Sequence, residues 1–132
     1  MSFLIDTDTV SAHLRGHAHA TSRFAQYSGR LYLSTVTLAE LKTWLYRSNT
    51  PIKYRTGLQA LLRDARVLPV DDAVADQFGV VGAGLLDQGI TVATPDLLIA
   101  ATALVHGFTV VTHNVSDFSS VPGLAVLDWL QP

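Results

Sequence analysis

Residues 95–112, PDLLIAATALVHGFTVVT, decide the fold more clearly than any other stretch. From Asp96 to His106 apolar residues occupy nearly every side of a predicted helix, and Gly107 follows where a left-handed cap is expected. The next residues, Phe108–Thr112, form an apolar run short enough for a strand buried on both faces. A buried helix joined directly to a buried strand predicts α/β layering.

The same alternation extends outward in both directions along the chain. Four more short apolar runs predict strands, at Phe3–Asp6, Leu31–Thr35, Val67–Val70 and, more weakly, Ala125–Leu127. Three more stretches have helical spacing, at Thr37–Arg47, Pro51–Ala65 and Asp72–Leu86, the last one loosened by Gly79, Gly82 and Gly84. Strands that alternate with helices predict a three-layer α/β/α sandwich with a parallel sheet of four to five strands. In such a sheet the functional site lies outside the carboxyl ends of the strands.

Length and composition fit one domain that spans residues 1–132. About half of the 132 residues (48%) are apolar, which is enough for one continuous core. The chain has no cysteine, so disulfides and thiolate metal sites are excluded. The N-terminus shows no export signal, and no apolar run is long enough to span a membrane. We therefore expect a cytoplasmic protein.

The net charge of −2 gives no overall attraction to nucleic acid. The charge is uneven, however, because cations gather in the middle of the chain. This stretch fits a solvated helix face and a phosphate-contacting patch equally well. The cations are Lys42, Arg47, Lys53, Arg55, Arg63 and Arg66.

Four acids from distant parts of the chain converge in this scheme. Asp6 ends the first strand, Glu40 lies in the first turn after the second, Asp96 opens the helix before the fourth, and Asp117 follows the fourth. Clustered carboxylates repel one another unless a cation offsets their charge. Mg²⁺ and Mn²⁺ prefer such oxygen ligands and cleave phosphodiesters by activating a water.

Each acid also has a purely structural interpretation. Thr37 and Glu40 match a capping box, Asp96 could cap its helix, and Asp117 could shape a turn. Asp6 is hardest to explain in this way, because an acid that closes a buried strand needs a partner.

Four segments, taken together and in order, span nearly the whole chain and resemble the PIN-domain nucleases, and among these the VapC-type toxins of bacterial toxin–antitoxin pairs. The segments are Leu4–Asp8, Ser34–Leu41, Pro95–Asp96 with Ile99–Ala103, and Val111–Asn114 with Asp117–Phe118.

The resemblance implies an endoribonuclease that depends on Mg²⁺ or Mn²⁺ and cleaves RNA by metal-activated water. It also implies a homodimer and a cognate antitoxin that inhibits it. Carried over by position, Asp6 and Asp96 would bind the metal directly, while Glu40 and Asp117 would complete the cluster, partly through water. Thr112 and Asn114 would then orient the acids or contact a phosphate; these six residues, with Asp8 as a further supporting residue, form the candidate site.

Two residues depart from the family pattern. Asp8 stands where many relatives have Asn, and it adds a carboxylate that could assist or compete for the metal. His113 stands where Arg is frequent, which removes a phosphate contact and would weaken substrate binding.

Two rival functions remain open. In the first, Asp6 is the nucleophile of a haloacid-dehalogenase-like phosphatase, with Asp8 as general acid; that family needs a later Lys, and none follows Lys53. In the second, the chain is a catalytically inactive PIN binding module. Trp44, Tyr46 and Tyr54 could stack bases, but Trp44 falls on the apolar helix face, which favours the core or a dimer interface.

Overall fold

The computed structural model describes residues 1–132 and contains one five-stranded parallel sheet. The order across the sheet is β3-β2-β1-β4-β5, so the first strand lies in the centre. Each strand lies close to a predicted apolar run, and the predicted α/β/α sandwich is confirmed. The strands are β1 (Phe3–Ile5), β2 (Leu31–Ser34), β3 (Arg66–Leu68), β4 (Thr109–Val111) and β5 (Val126–Leu127).

Seven helices connect and flank these strands. The four predicted helices are present, each within two residues of its predicted start and end. They are α3 (Thr35–Tyr46), α4 (Ile52–Asp64), α5 (Asp72–Asp87) and α6 (Thr94–His106). Three helices were not predicted, namely α1 (Thr7–Leu14), α2 (Ala18–Gln26) and the short α7 (Val115–Phe118).

Side chains that alternate along the strands enter two separate cores, one on each face of the sheet. Phe3 and Ile5 of β1 point into the first core, where they meet residues of α1, α2, α3 and α4. Leu4, between them, points into the second core together with Ile99 and other residues of α6 and α7. Because both faces are covered, the central strand β1 is apolar throughout, as is typical of buried parallel strands.

Two glycines fix how α6 packs and ends. Gly107 has φ +71°, so the predicted left-handed cap is confirmed. Gly82 does not break α5, which continues through it. A Cβ at Gly82 would lie 3.3 Å from Leu97 Cδ2, so this glycine lets α5 approach α6 closely.

None of the helices is long and apolar enough to cross a membrane.

Candidate active site

The first acid, Asp6, lies between the end of β1 and the start of α1 and is 8% exposed. Its backbone N–H donates to the carbonyl of Val111 (2.8 Å), which ties this residue to β4. One side-chain oxygen, Oδ1, accepts the N–H of Thr7 (2.8 Å) and caps α1. The other, Oδ2, accepts the hydroxyl of Thr112 (3.0 Å). The carboxylate is therefore held at both oxygens.

Thr112 connects the acid to the loop after β4. Its fully buried hydroxyl donates to Asp6 and accepts the backbone N–H of Asn114 (3.1 Å). Thr112 thus orients an acid, one of the two roles expected for it. Asn114 takes part through its backbone and precedes the first residue of α7.

Asp8 binds the same loop. Its Oδ2 accepts the backbone N–H of His113 (3.1 Å) and lies 3.5 Å from the Thr112 hydroxyl. The extra carboxylate therefore anchors the chain that follows β4.

Glu40 joins the site from α3. It is exposed, and its Oε1 accepts the hydroxyl of Thr7 (2.8 Å), so α3 is tied to α1 beside Asp6. The capping-box interpretation of Glu40 is wrong. Helix α3 begins at Thr35 because β2 runs into it without a loop, and Ser34 Oγ accepts the N–H of Thr37 (3.2 Å) as the cap.

Asp96 and Asp117 share a pocket of about 390 Å³ with the loop of residues 90–93. Asp96 is the third residue of α6, which begins at Thr94, so its interpretation as the N-cap is wrong. Asp117 lies in α7, where its N–H donates to the carbonyl of Asn114 (3.0 Å). Asp117 is thus the third residue of a short helix that Asn114 precedes as the N-cap.

The acids affect one another's ionisation. Burial raises the pKa of Asp6 to about 6, and Asp8 and Asp96 add to the rise, while hydrogen bonds from Thr7 and Thr112 oppose it. Burial also raises the pKa of Asp96, followed by the charges of Asp117, Glu40 and Asp8. All five carboxylates therefore lie within one electrostatic environment.

The donor set fits a hard divalent cation. Every candidate ligand is a carboxylate oxygen, the type that Mg²⁺ and Mn²⁺ prefer, and no thiolate is available. No three acidic or histidine side chains are gathered closely enough to form a ready ligand set. Carboxylates repel one another, so a cation between them would favour their ionised forms and draw them together.

Two features of the site were missed from the sequence. The hydroxyl of Thr7 bridges α1 to Glu40, and the imidazole of His113 lies 3.0 Å from Asp128. Both depend on side chains brought together from distant parts of the chain, and no sequence motif signals either one.

Comparison with known proteins identifies the family. The model of the PIN domain matches residues 3–124. Ribonuclease VapC1 of Rickettsia felis is 34% identical over 130 residues, which cover 96% of this chain and 96% of that protein. The tRNA(fMet)-specific endonuclease VapC of Shigella flexneri is 31% identical, with 98% of each chain covered.

A solved structure agrees with these matches. DNA-bound VapBC from Salmonella typhimurium contains a chain with a TM-score of 0.88 to this one, 29% identity and 98% of each chain covered. Because the chain matches the PIN domain, the alternative function as a haloacid-dehalogenase-like phosphatase is not supported. The resemblance inferred from the ordered segments is confirmed, and the chain belongs to the PIN domain family, where it groups with the VapC ribonucleases.

Proposed function

We propose that this protein is an endoribonuclease that acts as the toxin of a toxin–antitoxin pair, with Mg²⁺ or Mn²⁺ as its cofactor. VapC nucleases in general depend on a divalent metal ion. The observation that carries the proposal is the shared environment of the acids: burial raises the pKa of both Asp6 and Asp96, and the charges of two further carboxylates add to the rise at Asp6 and of three at Asp96. Such perturbation is typical of functional sites.

The residues take distinct roles in this proposal. Asp6 and Asp96 bind the cation directly, and Glu40 and Asp117 complete the cluster, partly through water. When bound, a divalent cation supplies positive charge to the phosphodiester and increases the acidity of the attacking water. No covalent bond to the protein is needed.

The hydrogen bonds around the cluster explain how the chain orients these acids. Thr112 and the N–H of Thr7 hold the two oxygens of Asp6 in one orientation. The hydroxyl of Thr7 donates to Glu40 and so holds the Glu40 carboxylate near Asp6. Asp8 holds the loop that leads to Asp117. Positioning of this kind lowers the entropic cost of bringing water and phosphate together.

The proposed partners follow from the relatives. Neighbouring structures are complexes of VapC-type chains with VapB, so we propose a cognate antitoxin for this chain as well. We also propose a homodimer. The RNA substrate is best sought first among transfer RNAs, because two relatives are named as tRNA(fMet)-specific endonucleases.

The test compares Asp96→Asn with Asp64→Asn. Asp64 is the last residue of α4 and lies just before β3 begins. It is therefore near the amino end of a strand, whereas the acids lie at the carboxyl ends of the strands, so its variant is a matched control. We expect Asp96→Asn to lower Mg²⁺-dependent cleavage of RNA by more than about 100-fold, since loss of a residue that merely supports a ligand costs about 10- to 100-fold. The control should cleave as the parent does.

Full activity of cleanly purified Asp96→Asn would contradict the assignment. Calorimetric titration with Mn²⁺ separates the remaining alternative, because an inactive binding module should bind no divalent ion at these acids. Binding by the parent and its loss in Asp96→Asn would support the enzyme.

A further inference from the structure

Two helices lead away from the acids side by side. Helices α1 and α3 directly follow β1 and β2, pack against each other, and are tied at one level by the bond between Thr7 and Glu40. Trp44 lies one turn beyond Glu40 on the same face of α3, about 6 Å further along the axis. Arg15 follows the end of α1, about 12 Å beyond Thr7. The surface of these two helices therefore extends from the acids to a pocket near the start of α4.

This pocket, of about 460 Å³, lies where α1 and α3 meet the start of α4. Its lining includes two cations and no acid. Tyr54 is fixed there, because its hydroxyl hydrogen-bonds to Ser11 of α1 (3.0 Å). The main lining residues are Leu14, Arg15, Trp44, Pro51, Lys53 and Tyr54.

The ring of Trp44 and the cations at this pocket are exposed, and none of these cations forms an ion pair with an acid. Trp44 is 43% exposed rather than part of the core of the chain, and the guanidinium of Arg47 lies 4.9 Å from its ring centre. The only ion pair in the structure is His113–Asp128, so Arg15, Arg47 and Lys53 have no carboxylate partner. Exposed rings beside unpaired cations are typical of sites for single-stranded nucleic acid.

We propose that this pocket is a nucleotide subsite for single-stranded RNA, in which a base stacks on Trp44 and phosphates bind Arg15 and Lys53. The inference rests on the proposed ribonuclease function and adds where the strand lies. The scissile phosphate sits at the acids, and the strand follows α1 and α3 for a few nucleotides. Of the two interpretations of the basic stretch, the phosphate-contacting patch then applies to Lys53.

RNA accounts for this arrangement better than an acidic peptide does. A peptide would need only the cations, whereas the exposed ring on the face that also carries Glu40 suits a base in a strand that continues to the acids. The chain as a whole has a net charge of −2, so an acid-free, cationic pocket is a local feature.

The first experiment measures binding without cleavage. Hexauridylate is titrated into the protein in the presence of a chelator while tryptophan emission is followed. Trp129 is only 3% exposed, so a saturable change reports on Trp44 and should be absent in Trp44→Phe. A response to a glutamate decapeptide but not to the RNA would overturn the proposal and assign the pocket to a protein partner.

The second experiment separates this subsite from the chemistry. Stacking on an aromatic ring is worth about 1–3 kcal/mol per base, so Trp44→Ala should raise KM for RNA about fivefold or more with little change in kcat. Trp44→Phe should retain most of the affinity. The double variant Arg15→Gln/Lys53→Gln should make the slope of log affinity against log salt shallower by about 1.4.

The matched control removes two cations from the same basic stretch outside the pocket, as Arg63→Gln/Arg66→Gln. If the parent cleaves RNA but the pocket variants match this control in KM and salt slope, the subsite is wrong while the nuclease function stands. If the parent binds RNA through Trp44 but never cleaves it, the proposed function fails instead.

Discussion

Asp6 carries the most strongly constrained carboxylate of the candidate site. Burial and the neighbouring charges of Asp8 and Asp96 favour its protonated form, while Thr7 and Thr112 favour the ionised form that a cation needs. The two hydrogen bonds therefore have a chemical as well as a geometric role, because they limit the rise of the pKa to about 6.

Thr112→Val tests this role at the scale of a single hydroxyl. Removing the hydrogen bond should raise the pKa of Asp6 further, so the acid limb of the pH profile of kcat/KM should move to higher pH. We expect kcat to fall by about tenfold, as for other residues that orient a metal ligand. The pH profile of RNA cleavage in Mg²⁺ is the measurement.

Thr109→Val is the control for this variant. Thr109 begins β4, the strand that Thr112 directly follows, and is also buried, with no side-chain hydrogen bond to an acid of the site. An unchanged acid limb in Thr112→Val, or an equal shift in Thr109→Val, would contradict the orienting role.

At the scale of secondary structure, the start of α3 shows how closely the strands and helices are joined. Ser34 is both the last residue of β2 and the cap of α3, and it accepts the N–H of Thr37. The hydroxyl of Thr37 is buried without a hydrogen-bond partner. The sequence favoured Thr37 as the N-cap of α3, but in the structure Ser34 is the cap and Thr37 donates its N–H to it.

A pair of variants tests which residue caps α3. Ser34→Ala should lower the free energy of unfolding by about 1 kcal/mol, the usual value of a lost cap. Thr37→Val removes an unpaired buried hydroxyl while keeping its shape, so it should leave stability unchanged or raise it. Urea unfolding of both variants measures the difference, and a larger loss for Thr37→Val would restore the original assignment.

The helices also show where sequence reasoning succeeds. The strands and the helices α3 to α6 could be predicted because long apolar side chains mark their buried positions. Helices α1 and α2 could not, since half of their buried residues are Thr9 and Ala20, which carry little apolar signal.

The same limit applies to the site. Asp6, Glu40, Asp96 and Asp117 could be assigned to one edge from their places after strands and at helix starts. The partner of Glu40 could not, because Thr7 meets Glu40 only through the packing of α1 on α3.

At the scale of the whole molecule, the acids make stability depend on pH. Folding raises the pKa of Asp6 from 3.8 to about 6, so its protonated form is favoured in the folded state. The stabilisation from this protonated form is fully present below pH 3.8. It declines as the pH rises from 3.8 to about 6 and is lost above that pH. The whole effect is about 3 kcal/mol at most.

Asp6→Asn should therefore unfold at higher urea than the parent at pH 8 in chelator, and this advantage should shrink toward pH 4. Asp64→Asn, as a control, should show no such trend. Adding Mg²⁺ should stabilise the parent more than Asp6→Asn, because a ligand that binds only the folded state raises its stability. If the difference in stability between the parent and Asp6→Asn were the same at pH 8 and at pH 4, the raised pKa of Asp6 would be contradicted.

The central position of β1 has a consequence during synthesis of the chain. Asp6 is made early, yet its strand pairs with β4, and Thr112 lies 106 residues later. A growing polypeptide on the ribosome can therefore order this carboxylate only after residues 109–112 have left the exit tunnel, and Asp117 follows later still. The nascent protein would therefore lack the complete proposed site, and so any cleavage activity, until almost all of residues 1–132 have been translated.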